Sequence, residues 1–354
     1  MQVVSIGGVP SEWTDLQAHV ERIMPFPLQI VYKARQMGLP RIESNYFVKS
    51  LFPFQIVASM KKISNDLRPD VVQVLDNYGP AQTIFSTLPG RKITFLLSYS
   101  PRYPLFDKLL LLSLRPFDKI VTGSDSVARK LISLGLSKDS VQTIPFGVNP
   151  ELLRKGRAPQ VKTKMMLNAN PQAKLIVWSG FFPGEGEADY RYAVWLARGI
   201  LEKTADIAFV FLFKPAHFRR RYLRDAVPPR LTIVPCRDNQ HFLDIVSSAV
   251  GFLSPIVNPR LVMAPPLTWL ESMALGVPII TTRVGGAESI LEDRTNGLLF
   301  SDAKECYEKV TELCGNESFR KSLSRSALRL VEEEYNYDHV ASAYLEMWHN
   351  LAPS

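Results

Sequence analysis

Short β-branched apolar runs alternate with longer amphipathic runs along this chain, and the pattern occurs twice, with a polar stretch between. That alternation constrains the fold more than any other feature. In the first series, QVVSI (2–6), DVVQVL (70–75), KITFLL (92–97), DKIVTG (118–123) and SVQTIP (140–145) have the length and β-branched content of strands. IVASMKKISNDL (56–67), PLFDKLLLLSL (104–114) and SVARKLISLG (126–135) read as helices between them. Continuous apolar strands separated by helices mean a parallel sheet covered on both faces.

The polar stretch LLRKGRAPQVKTKMMLNANPQ (152–172) reads as a linker, and a second series follows. Its strands are KLIVWSG (174–180), IAFVFLF (207–213), LTIVPC (231–236), AVGFLSP (249–255) and VPIITT (277–282). Its helices are DYRYAVWLARGILEK (189–203), HFLDIVSSA (241–249) and PLTWLESMALG (266–276), and the tail beyond residue 303 is helical. The expectation is a pair of Rossmann-like, doubly wound domains, 1–155 and 156–334, facing a cleft. A last helix, 335–354, returns to pack on the first domain. Ligands of such sheets sit outside the carboxyl ends of the strands.

A chain of 354 residues, 46% hydrophobic, is long enough for two cores. Cys236, Cys306 and Cys314 form no metal-spaced or CxxC pattern, so free thiols in a reducing cytosol are expected. Met1-Gln2-Val3-Val4 already reads as a strand rather than a leader, and no apolar run reaches the ~18 residues of a membrane span. The net charge of +8 favours anionic partners. No nucleic-acid motif, P-loop, Ser-His-Asp order or metal cluster is present, and His19, His241 and His349 are isolated.

One stretch, ESMALGVPIITTRVGGAESI (271–290), asks for a chemical explanation. Gly276 suits a left-handed helix C-cap, and Pro278 enters the next strand where its missing N–H is tolerated. Gly285-Gly286 stands at that strand's exit, ahead of a helix start at SILED (289–293). Glycines there let backbone N–H groups approach a ligand. Glu288 has an ordinary role as an acid at a helix N-terminus. Glu271 lies between Trp269-Leu270 and Met273-Ala274-Leu275. It is either an acid on a solvated helix face or a carboxylate placed to accept two neighbouring hydroxyls, as on a ribose.

Extended to ESMALGVPIITTRVGGAESILEDRTNGLLF (271–300), the stretch resembles the C-terminal signature of the retaining nucleotide-sugar glycosyltransferases of group 1 (family 4, GT-B fold). Weaker resemblances flank it at 118–135, at VQTIPFGVNPELL (141–153) and at YNYDHVASAYLEMW (335–348). The resemblance implies a C-terminal domain that binds a nucleotide-sugar, of UDP or GDP, and an N-terminal domain that binds the acceptor. It implies transfer with retained configuration and no obligatory metal. Glu271 matches the glutamate that holds the ribose hydroxyls, and Val284, Gly285 and Gly286 lie beside the donor. Gly180, ending the first strand of the second series, joins the donor side. Asn77, Ser98 and Tyr99 are acceptor-side candidates, and no residue is assigned the catalytic role.

Four departures from the family pattern stand out. Met263 replaces the glutamate eight positions before Glu271, and a thioether cannot accept sugar hydroxyls as a carboxylate does. In SGFFPGEGEADYR (179–191), Phe181 and two glutamates stand where an Arg and a Lys neutralise the diphosphate. Lys214, with His217 nearby, is a substitute cation, and Arg260 a weaker one. Ser98 or Tyr99 occupies the place of a histidine. Gly7-Gly8 falls earlier than the family's glycine pair, and serves either as N–H donors to phosphate or as a turn.

FRRRYLR (218–224) reads as a solvated cationic face or an anion contact, and PLFDKLLLLSLRPF (104–117) as core or a bilayer-surface segment. The expectation is therefore a hexosyltransferase acting on a lipid-linked or glycan acceptor, cytoplasmic or peripheral at an anionic membrane face, with no nucleic-acid partner. A GT-B-like protein that binds a nucleotide, a sugar or a partner enzyme without turnover is the alternative, ahead of a phosphorylase or epimerase.

Overall fold

The structure is a computed structural model. It describes residues 3–7, 46–47, 70–74, 90–96, 98–99, 104–155, 157, 172–180, 186–213, 229–258, 262–284 and 286–351. The chain divides into two compact units. Unit 1 holds Met1–Gly147, Arg260–Ala264 and Tyr337–Ser354, and unit 2 holds Val148–Pro259 and Pro265–Asn336.

Unit 1 is built on a six-stranded parallel sheet. Its strands are β1 (Val3–Gly7), β2 (Tyr46–Phe47), β3 (Val71–Val74), β4 (Arg91–Leu96), β6 (Lys119–Thr122) and β7 (Val141–Thr143), in the order β2-β1-β3-β4-β6-β7. Helices α1 (Pro104–Leu114) and α2 (Asp125–Ser133) lie between its later strands. Ser124 starts α2 by accepting a hydrogen bond from the Val127 N–H, which satisfies one orphan donor of the first turn. The expected helix over 56–67 lies outside the described residues.

The C-terminal helix, Tyr337–Leu351, belongs to this unit. Val340, Tyr344, Met347 and Trp348 form its apolar stripe and pack with Val71, Ile93, Phe95 and Val121 of the sheet. The indole of Trp348 donates to Gln73 Oε1 at 3.0 Å, so the buried N–H is paired, while Gln73 Nε2 has no hydrogen-bond partner among the described residues. The return of the last helix to the first domain is as the sequence implies.

A two-stranded antiparallel ribbon completes unit 1: β5 (Ser98–Tyr99) pairs with β12 (Val262–Met263). Nothing in the alternation of apolar runs announces it. Helix α1 divides between the two readings of its leucines. Leu114 and the following Phe117 are buried, whereas Leu109 and Leu112 are 54% and 58% exposed.

Unit 2 carries the second sheet: β8 (Lys174–Ser179), β9 (Ile207–Phe213), β10 (Leu231–Pro235), β11 (Gly251–Ser254), β13 (Ile279–Thr282) and β14 (Leu298–Phe300). All pair in parallel, in the order β10-β9-β8-β11-β13-β14. The order reverses between β8 and β11, the switch point of a doubly wound sheet. Helices α3 (Pro150–Arg154), α4 (Gly186–Lys203), α5 (Asn239–Ser247), α6 (Leu267–Ala274), α7 (Ala303–Gly315) and α8 (Glu317–Glu334) surround it. The Tyr337–Leu351 helix is α9.

Trp178, Phe209, Phe211 and Phe213 on the sheet meet Tyr190, Ala193 and Ala197 on α4, and Cys306, Val310 and Leu313 on α7. The three cysteines are free and buried. Burial pushes the Cys306 and Cys314 thiols up to about 12, so neither acts as a thiolate near neutrality.

One expectation fails. Residues 289–293 do not start a helix: a single 3-10 turn, Ala287–Ser289, follows the glycines. Asn296 Oδ1 then captures the Glu292 N–H at 2.8 Å, and Arg294 turns left-handed at φ 66°. Asp293 bridges to Gly297, which ends any helical path. The helix-dipole argument at Gly285-Gly286 therefore falls away.

Candidate active site

The carboxyl ends of β11, β13 and β14 converge in unit 2, and side-chain hydroxyls lock them together. Thr281 Oγ1 donates to the Ser254 carbonyl at 2.7 Å. Thr282 Oγ1 donates to the Ile256 carbonyl at 2.7 Å and accepts from the Ile256 N–H at 2.9 Å. These bonds satisfy backbone groups just past β11, where the ladder has run out. The Val257 N–H is held by Asp189 Oδ1 of α4 at 2.7 Å.

Helix α6 is fixed to the same edge. Trp269 Nε1 donates to Ser254 Oγ at 2.9 Å. Trp269 through Ala274 are all buried, which leaves Glu271 only 7% exposed. A carboxylate so enclosed is costly without hydrogen-bond partners, and a helix-surface acid would not be built this way. The solvated-face reading of Glu271 is thus excluded. The helix stops as expected: Gly276 takes φ 74°, and Val277 and Pro278 lead into β13.

Val284, just past β13, is buried, and Gly286 takes φ 98°. The Val284 and Gly286 carbonyls accept from the Ala287 and Ser289 N–H groups, which closes the turn. A cavity of about 410 Å³ opens beside it, lined by Tyr192, Ile256, Val257, Thr282, Arg283, Val284 and Ser301 among others. Of these only Val284 stands out in the sequence. Arg283 directly precedes the glycines in the signature, and that adjacency was the available signal.

Arg283 is engaged by three carboxylates. Its guanidinium meets Asp293 at 2.7 Å, Glu288 at 3.5 Å and Glu305 at 3.8 Å. Glu288 is thereby an ion-pair partner rather than a helix-start acid. Behind it, buried Lys309 binds Asp293 at 2.7 Å, Glu305 at 2.8 Å and the Leu299 carbonyl. Burial alone would raise the Asp293 carboxyl, but Lys309, the Leu299 N–H and Arg283 hold it below its ordinary value. The Lys309 hydrogen bond lowers Glu305 in the same way.

Gly180 follows β8. A Cβ there would lie 2.3 Å from the Trp178 ring, so close packing alone requires this glycine. One glutamate of the anomalous 179–191 segment, Glu187, pairs with Arg191 at 2.9 Å one turn along α4. Lys214, His217, Arg260, Phe181, Gly285, Gly8 and Asn77 lie outside the described residues.

In unit 1, Met263 is the backbone register partner of Ser98, and Val262 that of Tyr99. Tyr99 is buried, and its hydroxyl donates to Asp107 Oδ1 at 2.5 Å. Lys130 stands 5.4 Å over its ring. Burial and then Asp107 push the Tyr99 phenol far up, so it stays protonated at any working pH. Among the described residues no cluster of three His, Cys, Asp or Glu could hold a metal ion.

Comparison with known proteins agrees with this geometry. Residues 240–346 match the family described as glycosyl transferase-like. An uncharacterized glycosyltransferase of Methanocaldococcus jannaschii is 28% identical over 152 residues, 40% of this chain and 43% of that protein. The chain spans less than half the length of the curated relatives it matches. A glycosyltransferase from Rickettsia africae superposes with a TM-score of 0.74 at 14% identity, over 99% of this chain and 98% of that one. Anabaena HepE in complex with UDP and glucose gives 0.74 at 10% identity, over 99% and 100%. At such identities the superpositions establish the GT-B fold alone. Residues 240–346 are thus similar to the glycosyl transferase-like family, and the two parallel-sheet α/β units have the GT-B fold.

Proposed function

We propose that the protein transfers a hexose from a nucleoside-diphosphate sugar to a lipid-linked or glycan acceptor, with retention of configuration. Unit 2 binds the donor and unit 1 the acceptor. The observation that carries this reading is Glu271: a carboxylate 7% exposed on an apolar helix, at the switch-point side of a doubly wound sheet. It accepts the two ribose hydroxyls, while the turn at Val284–Gly286 lies beside the sugar diphosphate. The fold neighbour in complex with UDP and glucose supports the same donor class. In the reaction the acceptor hydroxyl bonds to the anomeric carbon, the bond from that carbon to the diphosphate oxygen breaks, and the leaving diphosphate takes the acceptor's proton. Lys214, next in sequence after Phe213, is the candidate for the diphosphate cation.

A lipid-linked acceptor is favoured by α1. Exposed Leu109 and Leu112 share that segment with exposed Lys108 and Arg115, a composition suited to an anionic bilayer surface. No described helix is long and apolar enough to cross a membrane.

A second reading, binding without turnover, is favoured by the place of Met263. Position 263 lies in a backbone ribbon with position 98, so both polar groups expected there are absent together. Release of free or transferred hexose from radiolabelled UDP- and GDP-sugars decides between them. Turnover that disappears in Glu271→Ala, with folding intact, supports transfer. Nucleotide binding without turnover on any lipid or glycan acceptor supports the second reading.

A further inference from the structure

On the side of unit 2 formed by α4 and α7 there is a second cavity of about 410 Å³, lined by Trp195, Arg198, Gly199, Lys203, Lys304 and Tyr307 among others. We infer that it is a docking site for an anionic oligosaccharide, separate from the donor site. The choice of a glycan rests on the glycosyltransferase reading above; the site itself rests on four observations.

First, Trp195 is 57% exposed, whereas Trp178, Trp269 and Trp348 are buried. Burial of a large apolar side chain contributes about 1.5–3 kcal/mol, and an indole left partly in water keeps apolar area available to a ligand. Second, the Trp195 ring is held rather than loose: it stacks on Tyr192 at 5.7 Å between centroids and 16° between planes. A fixed aromatic plane is what the C–H-rich face of a pyranose packs against.

Third, the rim is cationic. Arg198, Lys203 and Lys304 are exposed there with one lining acid, Glu202, while Glu308 stands 3.9 Å from Lys304. Lys203 sits over the Tyr307 ring at 4.7 Å, which fixes its charge at the cavity's edge. A neutral sugar would need no such charges, and a uronate or phosphate group on the glycan would pair with them.

Fourth, Gly199 lies inside α4, in its last turns, at a cost of roughly 0.5–1 kcal/mol relative to alanine. A Cβ at that position would meet no neighbouring group within 4 Å, so internal packing does not require the glycine. Its absent side chain leaves the cavity open.

The test is titration of the full chain with hexagalacturonate, followed by calorimetry and by Trp195 fluorescence. Maltohexaose, tripolyphosphate and a short oligodeoxythymidylate serve as controls. Saturable binding of hexagalacturonate, with a change in Trp195 emission, is expected. Calorimetry should show that affinity weakened about tenfold in Trp195→Ala and in Lys203→Glu, and lost in Gly199→Leu, whose Cβ meets no neighbour within 4 Å. UDP titration of the same samples should be unchanged in Lys203→Glu and Gly199→Leu. If UDP fails to bind the wild type while hexagalacturonate binds, the donor assignment fails and the docking site stands. Absence of saturable binding, or binding unchanged by all three variants, overturns the inference. So does equal or tighter binding of maltohexaose, tripolyphosphate or the oligonucleotide.

Discussion

Met263 and Ser98 are register partners across the two-stranded ribbon of unit 1. The resemblance to the group 1 transferases leads one to expect a sugar-binding glutamate at the first position and a histidine at or beside the second. Both departures occur at one pair of backbone positions.

The chemistry of a thioether leads us to expect a small contribution to donor binding from position 263. Met263→Ala is expected to change nucleotide-sugar affinity by no more than about twofold, because a thioether makes no charge-assisted hydrogen bond. Calorimetry with the nucleotide-sugar, compared with the bare nucleotide, checks this.

The pairing of Trp348 with Gln73 ties the last helix to β3. Trp348→Ala removes a fully buried indole and leaves Gln73 without its donor. A loss of about 3–5 kcal/mol in urea unfolding is expected. Trp348→Phe should recover most of the packing part but not the hydrogen bond.

The Asp293–Lys309–Glu305 cluster makes stability depend on acid. Both carboxyls are held below their ordinary values, about 3.9 and 4.3 when unfolded. The folded state therefore binds fewer protons than the unfolded chain in that range. The stabilisation is fully present above the unfolded values and is lost as pH falls through the lowered native ones. Urea midpoints measured from about pH 6 to about pH 2 should fall steeply in the wild type and less steeply in Lys309→Met. The variant should also be less stable at neutral pH by roughly 1–3 kcal/mol.

Gly180 and Gly276 are expected to behave differently from Gly199. Gly180→Ala drives a Cβ into the Trp178 ring and should cost about 1–3 kcal/mol. Gly276→Ala meets no neighbour but is strained at φ 74°, for about 1–2 kcal/mol. Gly199→Ala, inside a helix with open space, should stabilise by roughly 0.5–1 kcal/mol. Thermal melts of the three variants separate the cases.

Exposed Leu109 and Leu112 should govern attachment to lipid. Co-sedimentation with phosphatidylglycerol vesicles at low salt is expected for the wild type. It should fall about tenfold or more in Leu109→Ser/Leu112→Ser, since each buried CH₂ contributes about 0.8 kcal/mol.

Much of this architecture was legible in the chain because parallel strands buried on both faces must be apolar throughout. β8, β9, β11 and β13 are such runs, and Gly276 marks the end of α6 as its φ requires. What the sequence concealed has physical reasons too. The β5–β12 ribbon spans two residues on each side, too short for any period to register. The segment after Gly286 looked helical by composition, but the Asn296 side chain takes the Glu292 N–H and the chain turns. Glu271 was readable as a motif residue, yet only the packing of Trp269 to Ala274 around it separates an enclosed carboxylate from a surface acid. Arg283 stood in plain view inside the signature. Its capture by three carboxylates depends on residues 5, 10 and 22 positions away in sequence, which no local pattern reveals.

Calorimetric titration with UDP, GDP, ADP and UMP, on the wild type and on Glu271→Ala, tests the central claim most directly. Micromolar binding of one nucleoside diphosphate is predicted, weakened more than about tenfold in Glu271→Ala by loss of the charge-assisted bonds to the ribose. A well-folded wild type that binds none of the four, or a Glu271→Ala variant that binds as tightly as the wild type, would contradict it.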